Sequence, residues 1–263
     1  IYIIMPWIDG DGYRLYQDFM FDSFDCSFGM DEKNIGERQM WQGEIGRMKK
    51  SEDNCIPVID LFAGPGGLGE GFSAFETSGR HPFKSVLSIE KDEYAHKTLT
   101  LRSFFRQFRH SGRRPPKRYY DHLRNLITQE DLFRSAEDEA KGARNEAWRI
   151  ELGGSGDNDD PDHVSALISK AVDGSKNWVL LGGPPCQAYS LVGRSRMKRE
   201  GGVKPDDPRL MLYKHYLRIL AEHQPSVFIF ENVKGLASSR LNDKNIFDQI
   251  VSSLKDPSAY LDG

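Results

Sequence analysis

The segment Val58-Ile59-Asp60-Leu61-Phe62-Ala63-Gly64-Pro65-Gly66-Gly67 joins a short apolar run to a cluster of glycines. An apolar run of this length, ended by glycine, is typical of a buried strand in a parallel sheet. Glycines allow a tight turn and let a ligand approach the backbone N–H groups at the start of a helix, which we expect from Gly67 to Phe75. The segment therefore predicts a strand, a ligand-binding turn and a helix, in that order.

The same alternation continues along the chain. Apolar runs predict further strands at 85–89, 177–181 and 226–230, and helical spacing predicts helices at 94–105 and 210–222. Strands that alternate with helices indicate a doubly wound α/β sheet, Rossmann-like and mostly parallel. In such a sheet, ligands bind beyond the carboxyl ends of the strands. We therefore single out four residues that lie at or just after predicted strand ends: Asp60, Glu90, Cys186 and Glu231.

Composition limits the class of protein. The 263 residues are 38% hydrophobic and 29% charged, as in ordinary soluble proteins, and the formal net charge of −3 is not that of a polybasic nucleic-acid binder. No apolar run approaches the roughly 20 residues that span a bilayer, so we expect no membrane contact. The three cysteines form no CxxC pair, which favours a reducing cytoplasm and argues against a zinc site. We expect no metal.

The chain divides into two parts. Residues 1–50 show no sustained period beyond a plausible short helix at 37–49, and we assign them no function. Residues 51–263 form the predicted domain, with a charged insertion at about 102–162. The first part of the insertion, 102–124, holds eight Lys or Arg residues against one acid, and such a face is often only solvated.

The glycine turn alone leaves the ligand open. Gly64, Gly66 and Gly69 satisfy GxGxxG, and Glu90 stands where an acid would hold a ribose. A dinucleotide-dependent oxidoreductase is therefore one hypothesis.

Three motifs together resemble the DNA (cytosine-5) methyltransferase family: 60–67, then Gly183-Pro184-Pro185-Cys186-Gln187-Ala188-Tyr189-Ser190, then Phe230-Glu231-Asn232-Val233. The match covers about residues 56–250. The chain ends before the family's C-terminal motifs and target-recognition domain, so we expect this piece to hold the chemistry and little of the sequence readout.

The resemblance implies S-adenosylmethionine as the cofactor and S-adenosylhomocysteine as the product. The glycine turn would surround the methionine part, and Glu90 would accept hydrogen bonds from the ribose hydroxyls. Glu151 is a candidate for the acid that the family has after the third strand. The full set of predicted cofactor-binding residues is Asp60, Phe62, Gly64, Gly66, Gly67, Leu68, Glu90, Lys91, Pro185 and Leu212.

The resemblance also implies that Cys186 is the nucleophile. C5 of cytosine reacts poorly by itself, and addition of a thiolate to C6 converts the ring into an enamine-like species that can accept a methyl group. A zinc deaminase would need a second cysteine at position 189, which is Tyr189. The carboxyl group of Glu231 would engage N3 and the exocyclic amine of a flipped cytosine.

The remaining predictions concern partners. The basic loop after Cys186 would close over double-stranded DNA after base flipping, with contacts from Gln187, Ser190, Arg194, Arg196 and Asn232. We expect a monomeric enzyme of the bacterial cytoplasm, of the kind that restriction–modification systems contain. A tRNA cytosine-5 methyltransferase and a non-catalytic scaffold stay open beside the oxidoreductase.

Overall fold

The computed structural model describes residues 2–8, 12–13, 55–154, 156, 159–184, 208–231, 240–241 and 244–260. Seven strands form one sheet and two short strands form a separate hairpin. The strands are β1 (Tyr2–Ile8), β2 (Gly12–Tyr13), β3 (Ile56–Leu61), β4 (Phe83–Glu90), β5 (Ala147–Arg149), β6 (Val179–Gly182), β7 (Val227–Glu231), β8 (Arg240–Leu241) and β9 (Lys244–Asn245).

The large sheet has the order β2-β1-β7-β6-β3-β4-β5. Its five strands from β7 to β5 are parallel, while β1 pairs antiparallel with β7 and β2 pairs antiparallel with β1. The chain passes from β3 to β4 on one side and later returns to β6 on the other. The strand order therefore reverses between β3 and β6, and such a point is where doubly wound sheets bind ligands.

Helices connect these strands. Among the described residues, none of them combines the length and the apolar character that a membrane crossing requires. The helices are α1 (Gly67–Ala74), α2 (Glu93–His110), α3 (Lys117–Leu123), α4 (Gln129–Arg134), α5 (Glu137–Glu146), α6 (Pro161–Val172), α7 (Pro208–His223) and α8 (Ile246–Lys255), followed by a 3₁₀ turn at Pro257–Tyr260.

Both faces of the parallel sheet are covered, because neighbouring side chains of a strand point to opposite faces. In β3, Ile59 and Leu61 belong to the main core with residues of α6, α7 and α8, while Val58 packs on the other face with Leu68 and Phe72 of α1. This arrangement confirms the predicted α/β, Rossmann-like and mostly parallel fold.

The insertion folds as helices with a core of their own. Phe104 and Phe108 of α2 are buried against Leu132 and Phe133 of α4, and the rings of Phe104 and Phe133 stack with centroids 5.0 Å apart. We call α3, α4 and α5 the inserted helices. A capping box at Thr128 starts α4, which satisfies backbone N–H groups that would otherwise lack partners.

The sequence missed three strands of the sheet. β5 lies inside the region predicted as an insertion, and β1 and β2 lie in the N-terminal segment that received no assignment. The helix predicted at 37–49 falls outside the described residues.

Candidate active site

A cavity of about 200 Å³ opens at the carboxyl edge of the sheet, next to the point where the strand order reverses. The residues that follow β3, β4, β5 and β6 contribute its walls, and α7 closes one side. Apolar side chains predominate, with one carboxylate from β4 and an ion pair at the rim. The lining residues are Phe62, Ile89, Glu90, Lys91, Ile150, Glu151, Leu152, Gly183 and Leu212.

The turn after β3, residues 62–67, has an unusual backbone. Phe62, Gly64 and Gly66 have φ values of 56°, 56° and 87°, in the left-handed region that disfavours residues other than glycine. A non-glycine residue in this region costs free energy and is concentrated at functional sites. The turn therefore directs the Phe62 ring into the cavity at the expense of local strain. We call residues 62–67 the glycine turn.

Two carboxylates hold this turn and the start of α1 through backbone N–H groups. The N–H of Gly64 donates to Oε2 of Glu90 over 2.7 Å, and the other oxygen of Glu90 accepts the N–H of Asp92 over 2.7 Å. The N–H of Gly69 donates to Oδ2 of Asp60 over 3.2 Å. Each carboxylate oxygen can accept more than one hydrogen bond, so Glu90 can hold the turn and still face a ligand in the cavity.

Asp60 and Glu90 differ in their surroundings. Asp60 is 1% exposed and lies beneath α1, outside the lining of the cavity. Burial raises the pKa of Asp60 to about 7, while the hydrogen bond from Gly69 and the charge of Arg106 act in the opposite direction. Removing a carboxylate from water disfavours its charged form. Of the two, Glu90 alone lines the cavity.

An ion pair spans the rim of the cavity. Nζ of Lys91 lies 2.8 Å from Oε1 of Glu151, and both side chains are about half exposed. The backbone N–H of Glu151 donates to Asp159, which anchors the chain that follows β5. Lys91, a predicted cofactor-binding residue, thus lies at the rim of the cavity. There it pairs with Glu151, the acid that follows the third parallel strand, β5.

Glu231 lies beside the cavity as well. A methyl group added at the α-carbon of Gly183 would lie 2.5 Å from Oε2 of Glu231, so this carboxylate covers a glycine that also lines the cavity. β6 and β7 are neighbours in parallel register, with Gly182 opposite Phe230. Parallel pairing therefore brings Gly183, the first residue of the motif at 183–190, against Glu231 of the motif at 230–233.

The predicted site residues divide into four groups. Phe62, Glu90, Lys91 and Leu212 line the cavity. Gly64, Gly66 and Gly67 build the glycine turn and the start of α1, whereas Leu68 packs with Val58 on the opposite face of the sheet. Asp60 and Glu231 lie outside the cavity lining, beneath α1 and against Gly183 respectively. The others lie outside the described residues: Pro185, Cys186, Gln187, Ser190, Arg194, Arg196 and Asn232.

Sequence reasoning missed part of the cavity wall. Ile150 and Leu152, which line the cavity after β5, were not predicted, whereas Glu151 between them was a candidate acid. The apolar–polar alternation of these three residues was the available signal, but it is short and lies inside a polar region. Within the part of the chain that the structure describes, no group of three His, Cys, Asp or Glu residues is placed to hold a metal ion.

A doubly wound sheet with a strained glycine turn, and an acid at the end of the next strand, is typical of Rossmann-like proteins, a class that commonly binds nucleotide-like ligands at this point of the sheet. Residues 164–260 match the model of the C-5 cytosine-specific DNA methylase family. This match supports the resemblance to the same family that the three motifs indicated.

Several curated relatives carry names of the same kind. The type II methyltransferase M.Bpa9945I of Bacillus paralicheniformis is 32% identical over 211 residues, which are 73% of this chain and 45% of the relative. The DNA (cytosine-5-)-methyltransferase M.ApeKI of Aeropyrum pernix is 48% identical over 77 residues, 29% of this chain and 16% of the relative. The type II methyltransferase M.DdeI of Desulfomicrobium norvegicum is 26% identical over 195 residues, 74% of this chain and 32% of the relative. The chain spans less than half the length of each.

Proposed function

We propose that this chain is the cofactor-binding and catalytic part of an enzyme that transfers a methyl group from S-adenosylmethionine to C5 of cytosine in double-stranded DNA. One observation supports the proposal most strongly. Gly183 lines the cavity on one side and lies against the Glu231 carboxylate on the other. Cys186 follows Gly183 by three residues, so chain connectivity limits the separation of their α-carbons to about 11 Å.

The cavity fits the proposed cofactor in its chemistry. Apolar walls from Phe62, Ile89 and Leu212 suit a flat adenine ring, and the Glu90 carboxylate can accept hydrogen bonds from two ribose hydroxyls. Backbone N–H groups of the strained turn suit the amino-acid end. When bound, S-adenosylmethionine supplies an electrophilic methyl group on a sulfonium. The residues proposed to hold it are Phe62, Gly64, Gly66, Gly67, Glu90, Lys91, Pro185 and Leu212. Asp60 and Leu68 are proposed to act from outside the cavity lining, by fixing the start of α1.

The thiolate of Cys186 is the proposed nucleophile. It adds to C6 of the base, and the C5=C6 double bond supplies the electrons with which C5 takes up the methyl group. Loss of the C5 proton to a base then restores the double bond and expels the thiolate. A thiolate suits both steps because it is a soft nucleophile and a good leaving group.

Glu231 is proposed to hold the Watson–Crick edge of the base. Its carboxyl group would donate to N3 when protonated, or accept from the exocyclic amine, and would thus stabilise charge as the thiolate adds. Cytosine presents this pattern and thymine does not, so the same contact selects the base. Asn232 is proposed to hold the loop that carries this acid.

The reaction requires base flipping, because stacked neighbours cover C6 in a duplex. Arg194 and Arg196 are proposed to contact DNA phosphates, and Gln187 and Ser190 to contact the extruded nucleotide. We also propose that the enzyme acts as a monomer in the bacterial cytoplasm.

A methyl-transfer assay on the whole protein tests the proposal, with labelled S-adenosylmethionine and either duplex DNA or tRNA as the acceptor. We expect label in DNA at C5 of cytosine, no label in tRNA, and loss of transfer in Cys186→Ala. Cys55→Ala is the matched control, because Cys55 is an exposed free cysteine and should be dispensable. Label in tRNA but not in DNA would assign the enzyme to RNA. Full activity of Cys186→Ala would contradict the mechanism.

A further inference from the structure

An arginine is buried behind the glycine turn, on α2. Arg106 has no measurable exposure and is the largest of the fully buried side chains among the described residues. Its guanidinium donates to Oε2 of Glu70 over 3.0 Å and also to Glu146. A buried charge of this kind requires close partners, because leaving water costs several kcal/mol per ion. Arg106 therefore joins three helices, α1, α2 and α5.

The far end of this cluster is fixed by the inserted helices. Glu146, the last residue of α5, is 4% exposed and accepts hydrogen bonds from Ser103 over 2.6 Å and from Gln107 over 3.2 Å. Burial raises the pKa of Glu146, and Arg106 is the main influence that opposes this rise. The carboxylate is therefore a fixed anchor that holds the guanidinium in one orientation.

The near end of the cluster reaches the glycine turn. Glu70 lies in the first turn of α1 and accepts from Arg109 over 3.0 Å as well as from Arg106. The N-cap residue of α1, Gly66, makes no side-chain capping hydrogen bond. Asp60 accepts the N–H of Gly69 in this first turn, and the two arginines on Glu70 hold the start of the helix from outside.

The turn also rests directly on α2. A methyl group at Gly66 would lie 2.7 Å from Cδ1 of Leu99, so the turn and α2 are in close contact. One side of the turn is thus packed against Leu99, and the start of α1 is tied by Glu70 to the same helix. A shift of α2 relative to α1 would therefore move the backbone of the glycine turn, which carries Phe62 at the cavity wall.

We propose that Arg106 is a positioning residue for the cofactor: it acts through Glu70 to hold the glycine turn in its binding geometry, with Glu146 of the inserted helices as its anchor. The proposal rests on the proposed function. Under this proposal the inserted helices contribute to cofactor binding through Glu146, although Arg106 itself does not line the cavity. A buried ion cluster contributes little net stability compared with apolar packing, and specifying one geometry is a role that suits it.

Calorimetry with S-adenosylhomocysteine tests the proposal without requiring DNA or turnover. Glu70→Gln keeps the shape of the side chain and removes its charge, and we expect the dissociation constant to rise about tenfold, as for the loss of a charge-assisted hydrogen bond. In the methyl-transfer assay, KM for S-adenosylmethionine should rise by a similar factor, while kcat and KM for DNA stay unchanged. Arg106→Lys keeps the charge but not the two-sided fork, and it should give an intermediate rise.

The matched control is Glu139→Gln. It removes the ion pair between Arg113 and Glu139, which also joins α5 to the end of α2 but lies away from the glycine turn. We expect unchanged cofactor affinity in this variant.

Two results would overturn the proposal in distinguishable ways. Wild-type protein that binds S-adenosylhomocysteine, with an unchanged dissociation constant in folded Glu70→Gln, would reduce the cluster to a structural role. If Glu70→Gln does not fold, the same comparison in Arg106→Lys decides. Wild-type protein that does not bind S-adenosylhomocysteine at all would reject the proposed function, and this proposal with it.

Discussion

The glycine turn and the inserted helices are held by different kinds of contact. Backbone N–H groups of the turn and of the helix start that follows it donate to the carboxylates of Glu90 and Asp60, and these contacts lie within a few residues of strand ends. The inserted helices are held by side chains from distant parts of the chain, such as the stacked rings of Phe104 and Phe133. The turn can therefore be predicted from a local motif, whereas the insertion depends on packing that only the folded chain creates.

Arg106 joins these two regions, and its loss should have the largest effect on stability. Arg106→Met leaves the buried Glu146 carboxylate without its main charge partner, and we expect a loss of about 3–5 kcal/mol in the free energy of unfolding. Urea denaturation measures it. Arg134→Met is the control, because Arg134 is exposed and pairs with Asp131 on the surface of α4, where a pair contributes about 0–1 kcal/mol. Equal losses in both variants would show that the two regions are not joined by Arg106.

Gly66→Ala tests the turn itself. The new side chain would require a left-handed backbone and would contact Leu99 at 2.7 Å, so we expect a loss of about 3 kcal/mol. Gly71→Ala is the control, because Gly71 lies within α1 and nothing lies within 4 Å of the added methyl group. That variant should gain about 0.5–1 kcal/mol in helix propensity. A neutral Gly66→Ala would mean that the turn is not packed on α2.

Asp60 should make stability depend on pH. Its pKa is raised by burial from 3.8 to about 7, so the folded protein keeps a proton that the unfolded chain releases from about pH 4 upward. The contribution of this proton to the free energy of unfolding is complete below about pH 4 and is lost as the pH rises through 7. Relative to Asp60→Asn, we expect wild type to lose about 2 kcal/mol between pH 5 and pH 7.

Urea denaturation of both proteins at several pH values measures this difference. Asp131→Asn serves as a reference, because hydrogen bonds from Thr128 lower the pKa of Asp131 and its contribution should be lost only as the pH falls. A wild-type curve parallel to that of Asp60→Asn would show that the Asp60 carboxyl is not perturbed by burial.

The smallest effect is expected at the rim of the cavity. Lys91 and Glu151 form an exposed ion pair, so Lys91→Gln should change the free energy of unfolding by less than about 1 kcal/mol. We expect the dissociation constant for S-adenosylhomocysteine to change less than about threefold. Calorimetry at two salt concentrations checks this, since any contribution from the pair should weaken in high salt. A large, salt-independent change would show that Lys91 is a principal contact of the cofactor and not a minor one at the rim.

Much of the candidate site could be predicted, because the sequence patterns that indicate it are local. The apolar run before Asp60, the glycines after it and the acid at the end of the next strand all lie in short segments, and the parallel fold brings their ends together. Glu231 was likewise predicted at a strand end, and the parallel pairing of β6 with β7 brings it against Gly183.

The rest depends on contacts that no local pattern shows. β5 has three residues and lies between polar segments, so Ile150 and Leu152 gave too short a signal. Arg106 belongs to a run with eight basic residues, and nothing in that run distinguishes the buried arginine from the solvated ones. The positive φ of Phe62 is set by the turn and its packing, since a phenylalanine rarely adopts it unaided.

Covalent trapping tests the central claim most directly. The whole protein is incubated with S-adenosylmethionine and a duplex that carries 5-fluorocytosine at the target, and the adduct is digested and mapped by mass spectrometry. A fluorine at C5 cannot leave as a proton does, so the thiolate stays bonded to C6. We predict a single cross-linked peptide that contains Cys186, absent in Cys186→Ala and retained in Cys55→Ala. A cross-link to Cys26 or Cys55, or an adduct that persists in Cys186→Ala, would contradict the account.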